Sequence, residues 1–314
     1  MFQIDFVIPW VDGQDKEHIK RRKQHEKFQK KILLKDKEQS TDDRRFFQYD
    51  ELRFTLRSIA KFAPWYNKIF LVTDKQIPSF LDASKLSRDR IYLVDHEEIF
   101  QDSMHALPTF NTRAISSKIH NIRGLSEFFI YGNDDFFFGS HISKSFFFDG
   151  EYPIVYGEWL KKKTELTLYQ QGLSNAAKLM GYPEHEFINL SHGFQPMRRS
   201  FIRHMEQLFP NSFENNVSHK FRDRSQFLIE SLMNHYCTKN FDLIVQPATE
   251  MVHFSFEMCR KAEIKKIEFL FSLFRKGERK MMCINEYQSL YQRYPQIKNL
   301  LNGLCGSPLA SEIG

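Results

Sequence analysis

The chain has 314 residues, 41% hydrophobic and 27% charged, the balance of a soluble globular protein long enough to bury a substantial core as one large domain or two. Its formal net charge of +6 favours polyanionic partners, among them a nucleotide diphosphate, a nucleic acid or an anionic membrane face, without choosing between them. No run approaches the about eighteen apolar residues of a spanning helix, and the start, MFQIDFVIPWVDG, has no basic segment ahead of its apolar stretch, so neither a membrane span nor a secretory leader is expected and the expected location is the cytoplasm. Cys237, Cys259, Cys283 and Cys305 are widely spaced without a CxxC pair and read as structural thiols.

Residues 4–11, IDFVIPWV, form a first apolar strand that empties into Asp12-Gly13-Gln14-Asp15. A buried strand ending in a polar, Gly-containing loop is where a nucleotide-binding α/β domain first meets its ligand. Asp12 is the functional candidate there, accepting from a ribose hydroxyl or helping to hold a cation, with a turn role as the alternative. Trp10 would stack on a base or, the commoner case, fill core. From Lys16 to Lys37 the chain is dense in Lys and Arg, and a solvated charged helix is preferred over a surface for anionic lipid or a polyanionic glycan.

Leu52, Leu56 and Ile59 recur at helical spacing, so a helix begins near Asp50, with Asp50 and Glu51 complementing its dipole. Arg53 and Arg57 stand four apart on one face and could clamp phosphate oxygens; an ion-pair ladder with Asp50 or Glu51 is the competing expectation. Residues 68–74 and 90–95 read as further buried strands, which predicts a parallel or mixed α/β sheet. A helix is expected from about Thr112, with Asn111 either capping it or holding a sugar hydroxyl.

The most informative stretch is FFIYGNDDFFFG at 128–139, a short apolar strand that releases Asn133, Asp134 and Asp135 at its end. Adjacent carboxylates are costly to bury without a cation or hydrogen bonds, and a hard cation takes one or two carboxylates plus phosphate oxygens. The stretch therefore reads as a metal and diphosphate site, with an Asx-type turn as the alternative. Beyond Gly150, His192 lies in a Ser-His-Gly loop as a candidate general base, with a surface or capping role as the alternative, ahead of a helix carrying Arg198, Arg199 and Arg203. Arg222 and Arg224 flank Asp223 as candidate phosphate contacts, and a helix follows from Gln226. FDLIVQP reads as a strand, residues 257–275 as one long helix, and SPLASEIG as a frayed tail. Neither a P-loop nor a GxGxxG motif is present.

Several of these blocks, in this order, resemble the Stealth family of sugar-1-phosphate transferases, which includes bacterial capsular and exopolysaccharide phosphotransferases and the animal N-acetylglucosamine-1-phosphotransferase. They are IDFVIPWVDGQD at 4–15, residues 49–81 with 110–139, HGFQPMRRSF with NNVSHKFRDRSQF within 192–227, and, loosely, MMCINE at 281–286. Ile8-Pro9 departs from the family pattern ahead of Trp10, and Glu286 takes the acidic position of the last block.

The resemblance implies a Rossmann-like, nucleotide-sugar-binding α/β sheet of glycosyltransferase A type with helical C-terminal additions. Residues 1–150 would form the nucleotide-sugar-binding core, and 151–314 the acceptor and catalytic-histidine region, packed with it as one unit. It also implies transfer of a hexose or N-acetylhexosamine 1-phosphate from a UDP-sugar to a hydroxyl of a polysaccharide or lipid-linked glycan, with release of UMP. Asn133, Asp134 and Asp135 would hold Mg²⁺ or Mn²⁺; His192, Asp135 and Arg222 would be catalytic; Trp10, Asp12, Gly13, Asp50, Glu51, Arg53, Arg57, Asn111 and Arg199 would bind substrate. No nucleic-acid partner is expected, and peripheral contact with the inner membrane face is a further expectation. The alternatives are a metal-dependent glycosyltransferase releasing UDP and a non-catalytic glycan-binding protein.

Overall fold

In the computed structural model, which describes residues 2–27, 46, 48–162 and 164–313, the apolar runs of the first half form one sheet. β1 (Ile4–Pro9), β2 (Ile69–Thr73), β3 (Ile91–Asp95) and β4 (Phe128–Tyr131) are parallel, in the spatial order β4-β1-β2-β3. β5 (Phe136–Phe138) follows β4 across the Asn133–Asp135 turn, β6 (Phe148–Asp149) pairs with β7 (Tyr152–Pro153), and β8 (Gly157–Lys161) with β9 (Glu186–Leu190). β10 (Gln195–Arg198) then adds antiparallel to the outer edge of β4. β11 (Met251–Phe254) lies parallel to β12 (Met281–Ile284), which runs antiparallel to β5.

Strand register explains why β1, β2 and β4 are apolar at every step. Phe6 pairs with Ile69 and Ile130, and this row enters a cluster shared with Leu52, Leu56 and Ile59 of helix Glu51–Phe62. One residue on, Val7 pairs with Phe70 and Tyr131, and that row enters the opposite cluster, with Ala114 and Ile115 of helix Thr112–Lys118. Successive strand residues face opposite sides, so a sheet covered on both faces needs apolar residues in both sets. Full burial of each such side chain contributes about 1.5–3 kcal/mol.

β4 sits on the side of β1 opposite β2, so the strand order reverses between β1 and β4. In open α/β sheets that reversal opens a crevice beyond the carboxyl ends of the strands. The α/β class with helical C-terminal additions expected from the sequence is the one observed. Residues after Gly150 contribute to the same architecture, because β10 completes the main sheet and β12 pairs with β5.

Four sequence expectations change. The FDLIVQP stretch is not a strand: helix Ile229–Phe241 runs through its first residue, Asp242 ends it in the left-handed region at φ 50°, and only Gln246 makes a bridge, to Tyr156. The 257–275 pattern splits into Phe256–Lys261 and Ile264–Arg275, because Ala262 is extended and its carbonyl accepts from Arg293 Nη1 at 2.6 Å. The tail is packed rather than frayed. Asp82 N donates to Ser311 O at 2.8 Å, Ile313 N to Phe80 O at 2.9 Å, and Ser311 is fully buried. The basic helix Lys16–Glu26 is not wholly solvated either: Arg22 lies buried over the Phe46 ring and Arg21 forks onto Asp74 at 3.1 and 2.7 Å. Residues 28–37 of that basic run lie outside the described residues. Among the described residues no helix is long and apolar enough to cross a membrane.

Candidate active site

Asn133, Asp134 and Asp135 occupy the crevice at the end of β4. Gly132 N donates to Val7 O at 3.1 Å, and a Cβ on Gly132 would stand 2.3 Å from the Phe194 ring, so any side chain here would have to displace that ring. The turn is pinned from two sides: Thr55 Oγ1 donates to Asp134 O at 2.5 Å, and Ile284 N to Asp135 O at 3.1 Å. Trp10 Nε1 donates to Gln48 Oε1 at 2.9 Å, and the side chain of Gln48 in turn hydrogen-bonds Asp134. Cys283 Sγ reaches Asp135 Oδ2 at 3.6 Å, while Asp135 Oδ1 is buried with no hydrogen-bond partner.

Three carboxyl groups share this crevice. Burial raises Asp134; burial and then the Asp134 charge raise Asp135; burial, followed by the Asp134 charge, pushes Glu51 up to about 8. Like charges gathered in a poorly solvated place hold on to protons unless a cation replaces them. The oxygen donors and the orphaned Asp135 Oδ1 fit a hard divalent cation such as Mg²⁺ or Mn²⁺. Among the described residues no three His, Cys, Asp or Glu side chains converge into a cage, so ligand oxygens would have to complete the coordination.

Arg222 approaches from the other side. Its Nη2 donates to Thr112 Oγ1 at 2.8 Å, and Tyr131, Glu230 and Asp135 are its electrostatic neighbours. Arg113 supports the loop carrying it, with Nη1 donating to Asp223 O at 3.0 Å and Nη2 to Leu168 O at 2.7 Å. Asn111 caps helix Thr112–Lys118 through Arg113 N and donates to His219 O and Gln226 Oε1, both at 3.0 Å. It is fully buried with its amide engaged by protein, so it holds this loop and offers nothing to a sugar hydroxyl. Arg224 Nη1 donates to Leu166 O at 3.2 Å.

His192 lies in a loop that the fold clamps. Gln195 Nε2 donates to Ser191 O and Gly193 O, at 3.0 and 3.2 Å, and a Cβ on Gly193 would come 2.7 Å from Met281 Cε. Two rings pack against the imidazole, Tyr169 with centroids 4.8 Å away and His253 at 4.1 Å. Burial, and then His253, pushes it down to about 4, so it is neutral and able to accept a proton at neutral pH.

Other sequence candidates are drawn elsewhere. Arg57 forks onto Glu312 Oε1 and Oε2 at 2.6 and 2.5 Å and also donates to Asn302, so it is not a free phosphate clamp. Arg53 lies over the Phe80 ring, 3.7 Å from both Asp50 and Glu312, and Asp50 pairs with Lys298 at 2.6 Å. Arg199 is at the wrong end of the sheet: β10 is antiparallel, so Arg198 pairs with Phe128 at the start of β4, and Arg199 donates to His120 O and Leu125 O. Asp12 closes a local turn by accepting from Gln14 N, and Gly13 is required where a Cβ would stand 2.1 Å from Phe46 O. Sequence reasoning missed Gln48, Glu230, Tyr169 and His253, whose polar atoms carry no local motif, and gave no site role to Cys283 and Asn285 within the MMCINE block.

Fold and site together define an α/β protein with a paired-carboxylate crevice at the reversal of its sheet. Residues 2–27 match Stealth protein CR1, conserved region 1, and residues 45–154 match Stealth protein CR2, conserved region 2. The exopolysaccharide phosphotransferase cps2G of Lactiplantibacillus plantarum is 30% identical over 320 aligned positions, covering 91% of this chain and 88% of that protein. The exopolysaccharide phosphotransferase CpsY of Mycobacterium tuberculosis is 33% identical over 247, covering 75% of this chain, which spans only 44% of the length of that relative. The chain belongs to the Stealth family. Two solved structures align remotely over most of it: the galactosyltransferase LgtC, with TM-score 0.45, 9% identity and coverage of 97% of this chain and 98% of that one, and mouse xyloside xylosyltransferase 1, with TM-score 0.41, 11% identity and coverage of 90% and 97%.

Proposed function

We propose that the protein transfers a sugar 1-phosphate from a UDP-sugar to a hydroxyl of a polysaccharide acceptor, releasing UMP. The observation that carries this reading is the buried Asp134–Asp135 pair at the end of β4, with Asp135 Oδ1 left without a hydrogen-bond partner and Arg222 among its electrostatic neighbours. The names of the relatives, exopolysaccharide phosphotransferases, support it.

In this reading the acceptor oxygen attacks the β-phosphorus, the bond from that phosphorus to the bridging oxygen breaks, and UMP leaves with that oxygen. Asp134 and Asp135 would hold Mg²⁺ or Mn²⁺, with Asn133 beside them. When bound, the cation would neutralise charge on the diphosphate. Arg222, oriented by Thr112, faces the oxygens on which charge develops, and such preorganised donors supply most of the stabilisation in phosphoryl transfer. His192, uncharged at neutral pH, takes the proton of the acceptor hydroxyl. Trp10 serves through Gln48, fixing Asp134, rather than by stacking on a base.

The test is product analysis with a panel of UDP-sugars, a bacterial glycan and Mg²⁺ or Mn²⁺. UMP together with a phosphodiester signal in phosphorus-31 spectra of the glycan is expected. Release of UDP would replace this reading with glycosyl transfer at the anomeric carbon.

A further inference from the structure

We propose that His253 is a positioning residue for His192: its ring clamps the His192 imidazole against Tyr169, and Asn285 and Cys283 tie that clamp to Asp135. The inference rests on the transfer reading above and adds a residue to it. Ring centroids of His192 and His253 are 4.1 Å apart with planes tilted by 36°, and those of His192 and Tyr169 are 4.8 Å apart at 31°, so two rings pack closely against His192. His253 is itself held, because the Asn285 side chain hydrogen-bonds its ring. The same Asn285 accepts from Cys283 Sγ at 3.1 Å, and Cys283 reaches Asp135 Oδ2 at 3.6 Å. A continuous line of contacts therefore joins the candidate base to the candidate metal carboxylate through β11 and β12.

Packing alone does not explain a histidine here. His253 Nε2 is buried without a hydrogen-bond partner, an arrangement a phenylalanine would avoid, and a buried polar atom left unpaired in a native fold calls for an explanation. Small errors in the placement of a catalytic group are expensive in rate, which is what a clamp prevents.

The test uses the intact chain. His192 imidazole resonances, assigned with His192→Gln, are followed in His253→Ala and His253→Phe alongside steady-state nucleotide release. In His253→Ala the His192 signals should move toward those of an unstacked imidazole, and kcat should fall about 10- to 100-fold with little change in donor KM. His253→Phe restores a flat ring without the Asn285 contact and should recover part of that loss. His192 signals unmoved by His253→Ala, or an unchanged kcat, would overturn the clamp. A phenylalanine variant with wild-type kcat would overturn the tie through Asn285, since a flat ring alone would then suffice. A wild-type protein that releases no nucleotide sinks the transfer reading instead, and the imidazole spectra still decide the stacking.

Discussion

Arg57 and Glu312 meet through two parallel hydrogen bonds, 2.6 and 2.5 Å long, across 255 residues of sequence. Their side chains are only 7% and 3% exposed, and Leu309 N also donates to Glu312 Oε1. The pair fastens the C-terminal tail to helix Glu51–Phe62, the helix whose Thr55 holds the Asp134 carbonyl. Removing one partner of a buried ion pair strands the other charge, so Glu312→Ala should lower unfolding free energy by about 3–5 kcal/mol. Replacing both by apolar residues, as in Arg57→Met with Glu312→Leu, should restore most of it. Urea denaturation of the single and double variants checks this; a double-variant loss equal to the sum of the single losses would show that the pair contributes nothing.

The carboxylate crevice predicts how the protein responds to metal. A cation that binds the folded state alone stabilises by about 2.7 kcal/mol when present at a hundredfold excess over its Kd. Mn²⁺ or Mg²⁺ should therefore raise Tm of the wild type by several degrees, and chelation should remove the gain. Asp135→Asn should abolish that response while leaving metal-free stability equal or improved, since it relieves the repulsion with Asp134. Thermal scans with and without EDTA measure both effects.

Buried histidines away from the site predict acid sensitivity. His235 Nε2 accepts from Ile188 N at 3.0 Å while Nδ1 contacts Ser231 O at 2.7 Å, and burial pushes this ring down to about 4. Its folded-state value lies below its unfolded value, so the unfolded chain binds the extra proton. Stability is fully present above about pH 6.5 and is lost as pH falls toward about 4, by roughly 3 kcal/mol for such a histidine. His235→Gln should flatten the fall in urea midpoint between about pH 7 and about pH 4.5. An identical slope in that variant would assign the acid sensitivity elsewhere.

Arg222 is expected to matter for geometry as well as charge. Its Nη2 is engaged by Thr112, which aims the rest of the guanidinium. Lysine cannot reproduce a planar fork, so Arg222→Lys should lose about 100-fold or more in kcat with the fold intact. Thr112→Val, which removes only the aiming contact, should lose less. Circular dichroism and initial rates of both variants separate these effects from misfolding.

Much of this architecture was legible in the sequence because its causes are local. Apolar runs such as FFIY and IFLVT report strands covered on both faces, helical spacing of Leu52, Leu56 and Ile59 reports the helix after Asp50, and Gly132 followed by Asn133, Asp134 and Asp135 reports the end of a buried strand. The Asn111 cap was equally local. Tertiary structure alone decided which polar atoms meet. Antiparallel β10 carried Arg199 to the far end of β4, the packed tail claimed Arg57, and β12 brought Cys283 to Asp135 across 148 residues. Periodicity records which face of an element is buried, but a hydrogen bond between distant segments leaves no spacing in either one, so the partners of the candidate site emerged only once the strands were paired.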